Sequence, residues 1–281
     1  MTELFIEDLD FGYSEKCPVL SSINLRVVDP GLYCIVGPNG VGKSTLVKCI
    51  NKLLLPKSGK ITIDGRNVAD MSYRELSDTV GFVPATYQEC FSMPVVNAVM
   101  VGRFRHQHWG STEKDLRSAY RAMKLLGIEN LAMKNTNELS AGQLQKVAIA
   151  RGLAQEPRIL VLDEPTSNLD VKYQVYVAQL LRAIAEKRQM IVIMIVHDLN
   201  IAARFAHMII MMKKPGVIHE IGTPADLMTP GNIELLYGID CDVIEYRGAP
   251  HVILGTSVSG CSENRCELEV VPFGKKPTTW M

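Results

Sequence analysis

The stretch Gly37-Pro38-Asn39-Gly40-Val41-Gly42-Lys43-Ser44-Thr45 decides the fold. It fits the pattern G-x-x-x-x-G-K-[ST], and both flanks suit it. Leu32–Val36 ahead of it is an apolar, β-rich run. Behind it, apolar residues at 46, 47, 50, 53 and 54 keep helical spacing, which predicts a helix that Pro56 stops. Strand, glycine-rich turn and helix in that order make a cradle for phosphate. The glycines let backbone N–H groups point inward, and the first helical turn adds unpaired donors and the positive end of its dipole. Lys43 is placed to reach the β- and γ-phosphates of a nucleotide, and the Ser44 hydroxyl to ligate magnesium.

A site of this kind needs carboxylates, and Arg158-Ile-Leu-Val-Leu162-Asp163-Glu164 supplies them. Four apolar residues read as a buried strand with Asp163 at its end, where an open α/β sheet binds its ligand. Asp163 is the candidate magnesium ligand. Glu164 is the candidate general base that polarises water; taken alone, it reads equally as an acid at a helix start before Pro165. A further strand, Ile191–Val196, ends in His197-Asp198, where an imidazole can sense or position the γ-phosphate. A second small-residue turn, Ser140-Ala141-Gly142-Gln143, opens another helical pattern about a hundred residues after the phosphate loop. Set within a helical block and away from the sheet's ligand edge, it most simply grips phosphate bound to a second copy of the chain. Two subunits head to tail would bury two nucleotides, in the commonest oligomer symmetry.

The rest of the 281 residues frames these pieces. Strands are predicted at Leu4–Leu9, Ser22–Val28, Leu32–Val36, Lys60–Ile63, Val80–Pro84, Ile159–Asp163, Ile191–Val196, Met208–Met212 and Val217–Glu220. Val177, Leu180, Leu181 and Ile184 mark a helix, and residues 88–155 read as nearly all helical. The expectation is an α/β P-loop NTPase with a mainly parallel sheet core, an N-terminal antiparallel β part and an inserted helical subdomain. The domain is expected to span residues 1–254, closing with short strands at Val243–Tyr246 and His251–Leu254, and 255–281 to be a loose tail. Basic and acidic residues balance at 30 each, so nothing marks nucleic acid as a partner. No apolar run reaches a membrane span's length, and the acidic N-terminus is no signal sequence. The seven Cys are scattered and odd in number, which suits reduced thiols serving partly as small core residues. Cys261 and Cys266 are close enough for a tail metal or disulfide site, but two ligands do not make a zinc site.

Taken in order, Gly37–Thr45 (Walker A), Leu139–Gln143 (signature), Leu160–Glu164 (Walker B), Ser167-Asn168-Leu169-Asp170 (D-loop) and His197 (switch histidine) resemble the ATP-binding-cassette ATPases. The resemblance implies ATP as ligand with Mg2+, a head-to-tail homodimer, and Ser140, Gly142, Gln143 and Asp170 meeting the partner's nucleotide. It also implies that Tyr13, in Phe11-Gly12-Tyr13, stacks on adenine; otherwise Tyr13 reads as a core aromatic at a strand end. Two departures stand out. Ala141 replaces the first glycine of the signature, which is tolerable because alanine keeps its N–H and a helix start needs no positive φ. Ala85 stands where the family has a glutamine reaching magnesium and water. Gln88, three residues on, either substitutes by bending inward or is an exposed side chain.

Finer features resemble the ATPases of iron-chelate, haem and cobalamin importers: Val99-Met-Val-Gly-Arg103, His197-Asp-Leu-Asn-Ile-Ala202, Leu236-Tyr-Gly238, and the pairs around Val243 and Val252. The resemblance implies a separate transmembrane permease, a substrate-binding protein, and a position at the cytoplasmic face of the membrane. His106 and His108 read as surface groups near the permease contact. The competing expectation is a soluble ATPase of the same family serving a scaffold such as one for iron–sulfur cluster assembly.

Overall fold

A computed structural model describes residues 2–14, 17–85, 92–106, 112–167 and 169–258. The chain opens with β1 (Leu4–Ser14) and β2 (Cys17–Val27), then enters a second sheet with β3 (Gly31–Val36). After α1 (Lys43–Ile50) it returns to the first sheet with β4 (Ser58–Ile63) and β5 (Arg66–Asn67). That four-stranded sheet has the order β2-β1-β4-β5 and is antiparallel throughout. Next come α2 (Tyr73–Ser77) and β6 (Val80–Val83), and then α3 (Val95–Met100), α4 (Glu113–Leu125) and α5 (Ala141–Ala154). The sheet resumes with β7 (Ile159–Leu162), α6 (Val171–Arg188), β8 (Ile191–Ile195), α7 (Leu199–Phe205), β9 (Met208–Lys213) and β10 (Val217–Gly222). The short helices α8 (Pro224–Leu227) and α9 (Pro230–Tyr237) and the hairpin β11 (Ile239–Tyr246)–β12 (Ala249–Val258) complete the described chain.

The six-stranded sheet has the order β10-β9-β3-β8-β7-β6, with all neighbours parallel except β10. Every residue of β3, β7 and β8 is buried, as expected of parallel strands covered on both faces. Alternate side chains divide between two cores. Leu32, Cys34, Val36, Leu160, Leu162, Val192 and Met194 face the helical block, α6 and α7, while Tyr33, Ile35, Ile159, Val161, Ile191 and Ile193 face α1 and the antiparallel sheet. Because β3, β6, β7 and β8 run parallel, the loops following them share one sheet edge. Cys34 and Cys49 are buried core residues, and burial pushes the Cys49 thiol up to about 12.

Some predicted boundaries shift. The helix after the phosphate loop ends at Ile50, well before Pro56. Asn51 ends it by turning its Nδ2–H onto the Val47 carbonyl (2.8 Å), and Lys52 follows with φ 55°. Leu53, counted as the next core position, is exposed instead. The last strand continues past residue 254 to Val258. Among the described residues no helix is long and apolar enough to cross a membrane.

The helical block holds a buried charge cluster. Arg103 and Asp115 are each 2% exposed. Arg103 Nε donates to Asp115 Oδ1 (3.0 Å), while its Nη1 donates to the Ala154 carbonyl (3.0 Å) and to Glu156 (3.2 Å). Asp115 also closes the N-terminal capping box of α4 with Thr112, whose hydroxyl bond leads the contacts that hold its carboxyl below the ordinary range. Removing one partner leaves the other charge buried, so Arg103→Met is expected to destabilise the protein by about 3 kcal/mol or more in denaturant unfolding.

Candidate nucleotide site

The phosphate loop begins where β3 ends. Pro38 is half-buried, Asn39 and Gly40 are exposed, and Gly42, Lys43 and Thr45 are buried. Gly42 is the N-cap of α1 with φ 104°, a left-handed conformation that explains glycine here, and no side chain caps the helix. The first-turn N–H groups of α1 therefore face outward for an anion. Lys43, 5% exposed, folds back so that its Nζ donates to the carbonyls of Gly37 (2.7 Å) and Pro38 (3.0 Å). Burial pushes its ammonium below a lysine's ordinary pKa, and the carboxylates of Glu164 and Asp163 pull it back up.

At the end of β7, Asp163 Oδ1 accepts a 2.8 Å hydrogen bond from the Ser44 hydroxyl. Burial raises the Asp163 pKa, against the lowering effect of the Ser44 bond. Glu164 is held at φ 49°. No helix begins at Pro165, so Glu164 is not a helix-start acid. Its left-handed backbone aims the carboxylate across the sheet edge, where Oε1 lies 2.7 Å from Nε2 of His197. Backbone strain of this kind is characteristic of functional positions. Lys43, Ser44, Asp163, Glu164 and His197 thus form one cluster beyond the ends of three parallel strands, β3, β7 and β8. Asp163→Asn is expected to raise the melting temperature of the nucleotide-free protein. The sign follows from the raised pKa: ionising a carboxylate that burial disfavours costs folded-state stability above its unfolded pKa, and the amide removes that cost. The same variant is expected to lose at least about a hundredfold in ATP turnover, the scale for deleting a group aimed at developing charge.

The signature residues are not in that cluster. Ser140 is the N-cap of α5 in a full capping box: its hydroxyl accepts the Gln143 N–H (3.3 Å), and the Gln143 side chain accepts the Ser140 N–H (3.0 Å). Ala141 has no positive φ. Asp170 caps α6 by accepting the Tyr173 N–H (3.0 Å). Ser140, Gly142, Gln143 and Asp170 line one hollow of about 340 Å³ together with Lys146 and Tyr173. Lys146, which sequence reading passed over, sits 4.1 Å from the Tyr173 ring centroid. Tyr13 is 68% exposed, propped edge-on by Phe11 at 5.2 Å, so it is no core aromatic. Ala85 lies two residues past the end of β6 and has no side-chain oxygen to offer. Gln88, the alternative donor, lies outside the described residues, as do Asn168, His108 and the Cys261/Cys266 pair; for His106 only the backbone is described. In the sequence, Tyr237 stands out only within Leu236-Tyr-Gly238. Its phenol lies beside the Gly37 backbone, and burial pushes its pKa up to about 12.

Residues 20–167 match the family model described as ABC transporter. An uncharacterised ABC transporter ATP-binding protein of Methanocaldococcus jannaschii is 41% identical, covering 89% of this chain and 97% of its own. The iron(3+)-hydroxamate import ATP-binding protein of Bacillus subtilis is 33% identical, over 87% of this chain and 91% of its own. Among solved structures, a metal-chelate type ABC transporter in an inward-facing conformation superposes with a TM-score of 0.78 at 26% identity, covering 91% of this chain and 98% of that one.

Proposed function

The chain belongs to the ABC transporter family as one of its ATPases, and from that membership we propose that it powers an importer of an iron chelate or cobalamin-type cargo through a separate permease. The observation that carries the ATPase part of this reading is the split between two half-sites; the importer part is supported by the likeness to import ATP-binding proteins. The cluster at the sheet edge brings together a phosphate cradle, a magnesium-type oxygen pair and a candidate base, but has no closing wall of its own. The hollow at Ser140 and Asp170 is such a wall, built on another part of the chain. A head-to-tail homodimer joins one to the other and encloses two ATP molecules.

The residues divide the chemistry. Lys43 exchanges the Gly37 and Pro38 carbonyls for the β- and γ-phosphates, while the N–H groups of the loop and α1 take the remaining oxygens. Ser44 and Asp163 fit a magnesium ion: two hard oxygens 2.8 Å apart, one a buried carboxylate whose raised pKa a cation would relieve. When bound, the ion neutralises charge shared by the β- and γ-phosphates. Glu164 accepts a proton from the attacking water, and His197, in contact with that carboxylate, faces the γ-phosphate. Tyr13 offers its open ring face to adenine.

The output face is a groove of about 420 Å³ between the core and the helical block, lined by Leu53, Tyr73, Val101 and Arg151 among others. Leu53, Tyr73 and Val101 are all exposed there. This groove suits a cytoplasmic helix of a permease, which would hold the subunit on the membrane's inner face. The test is to recover the tagged protein from gently solubilised native membranes. A co-purifying polytopic permease with a binding protein for an iron chelate or cobalamin is the expected result. Recovery only in the soluble fraction, with a scaffold such as one for iron–sulfur cluster assembly, overturns the transport reading and leaves the ATPase intact.

A further inference from the structure

Two stretches singled out in the sequence have no part in the nucleotide cluster beyond His197: His197-Asp-Leu-Asn-Ile-Ala202 and Leu236-Tyr-Gly238. The fold brings both onto the C-terminal unit formed by α8, α9, β11 and β12. Asn200, in the first turn of α7, grips the backbone of Val252 with both ends of its amide. Nδ2 donates to the Val252 carbonyl (3.1 Å), and Oδ1 accepts the Val252 N–H (2.7 Å). The side chain thus imitates a neighbouring strand along β12, whose ladder partner is β11. Val252 is itself buried in the larger core. Just ahead, Asp198 caps α7 by accepting the N–H groups of Asn200 (2.8 Å) and Ile201 (3.1 Å). At the far end of the same unit, Tyr237 closes α9 and meets Gly37, where the phosphate loop starts.

His197 is 43% exposed, so surrounding walls do not fix its imidazole. Its place opposite Glu164 comes from its backbone. On one side that backbone leaves β8, which is paired to β3 and β7. On the other it enters α7, which Asn200 ties to the C-terminal hairpin. We propose that the C-terminal unit braces the γ-phosphate-sensing turn, with Asn200 as the positioning residue that holds His197 against Glu164. This rests on the reading that Glu164 and His197 act in hydrolysis.

The test uses the full-length chain and measures kcat, KM for ATP and melting temperature for Asn200→Ala, Asn200→Asp, His197→Ala and the double variant His197→Ala/Asn200→Ala. Displacing a reacting group by about an ångström costs up to a hundredfold. Asn200→Ala is therefore expected to lower kcat about ten- to a hundredfold, with KM changed less than about twofold. Asn200→Asp keeps the acceptor for the Val252 N–H and is expected to recover part of the rate; it also carries the test if the alanine variant folds poorly. The double variant is expected to be no slower than His197→Ala alone, because both changes act through one imidazole. A lowered melting temperature with wild-type kcat in both Asn200 variants overturns the brace, as does a further independent loss in the double variant. His197→Ala at the wild-type rate would sink the catalytic reading itself. An impaired His197→Ala beside normal Asn200 variants removes the brace alone.

Discussion

The Glu164→Gln protein is expected to bind ATP, hydrolyse it about a thousandfold more slowly, and accumulate as an ATP-bound dimer; loss of a positioned general base accounts for factors of that size. The amide keeps the shape of the side chain and can still meet His197 Nε2, now 2.7 Å away, through one neutral hydrogen bond. Binding is expected to persist because, in the proposed site, the contacts to phosphate come from Lys43, Ser44 and the loop backbone. Size-exclusion chromatography with ATP, alongside phosphate release, checks both halves. Turnover at the wild-type rate would remove Glu164 as the base, while slow turnover without a trapped dimer would separate hydrolysis from closure.

Lys43→Ala is expected to lose more, because binding and turnover fail together. The ammonium is buried, and its hydrogen bonds go to the carbonyls of its own loop. Without it those two carbonyls face into the cradle with no cation between them and an incoming triphosphate. A buried charged hydrogen-bonding partner is worth about 2–5 kcal/mol when truncated, so nucleotide affinity is expected to drop at least about thirtyfold. Titration with a fluorescent ATP analogue measures it. Full affinity with full turnover would take Lys43 out of the site.

How far the sequence reaches depends on whether a residue's job is local. The phosphate loop, the buried strand before Asp163 and the cap at Ser140 are all written within about ten residues. Each depends on short-range backbone geometry, so spacing alone locates it. The six-stranded sheet with its antiparallel companion follows from the same local patterns and the resemblance they carry. Spacing fails where a side chain leaves the pattern to answer a tertiary demand. Leu53 keeps helical period, but Asn51 ends the helix with its own amide and Leu53 lines an open groove. Tyr13 reads either as an adenine-stacking aromatic or as a core aromatic at a strand end, and spacing does not choose between them; its exposure beside Phe11 removes the core reading. The contact of Glu164 with His197 and the bond from Asn200 to Val252 have no local signature, because each joins residues tens of positions apart.

The buried Arg103 cluster bears on how movement crosses the molecule. It fastens the carbonyl at the C-terminal end of α5, whose opposite end is the Ser140 cap. Beside it, Gly102 lies so close to the Arg151 carbonyl that a Cβ would fall 2.3 Å from the oxygen, which welds the 101–103 segment to the same helix. Fourteen residues of α-helix span about 21 Å. A rod of that length, held at its foot by the buried Arg103, would pass on a displacement more readily as a tilt than as a bend. If the proposed dimer closes on the Ser140 end, the push would reach Val101, on the rim of the groove, as a tilt of the strut. The protein would thereby convert the closing of a nucleotide pocket into leverage without any part of the strut having to unfold.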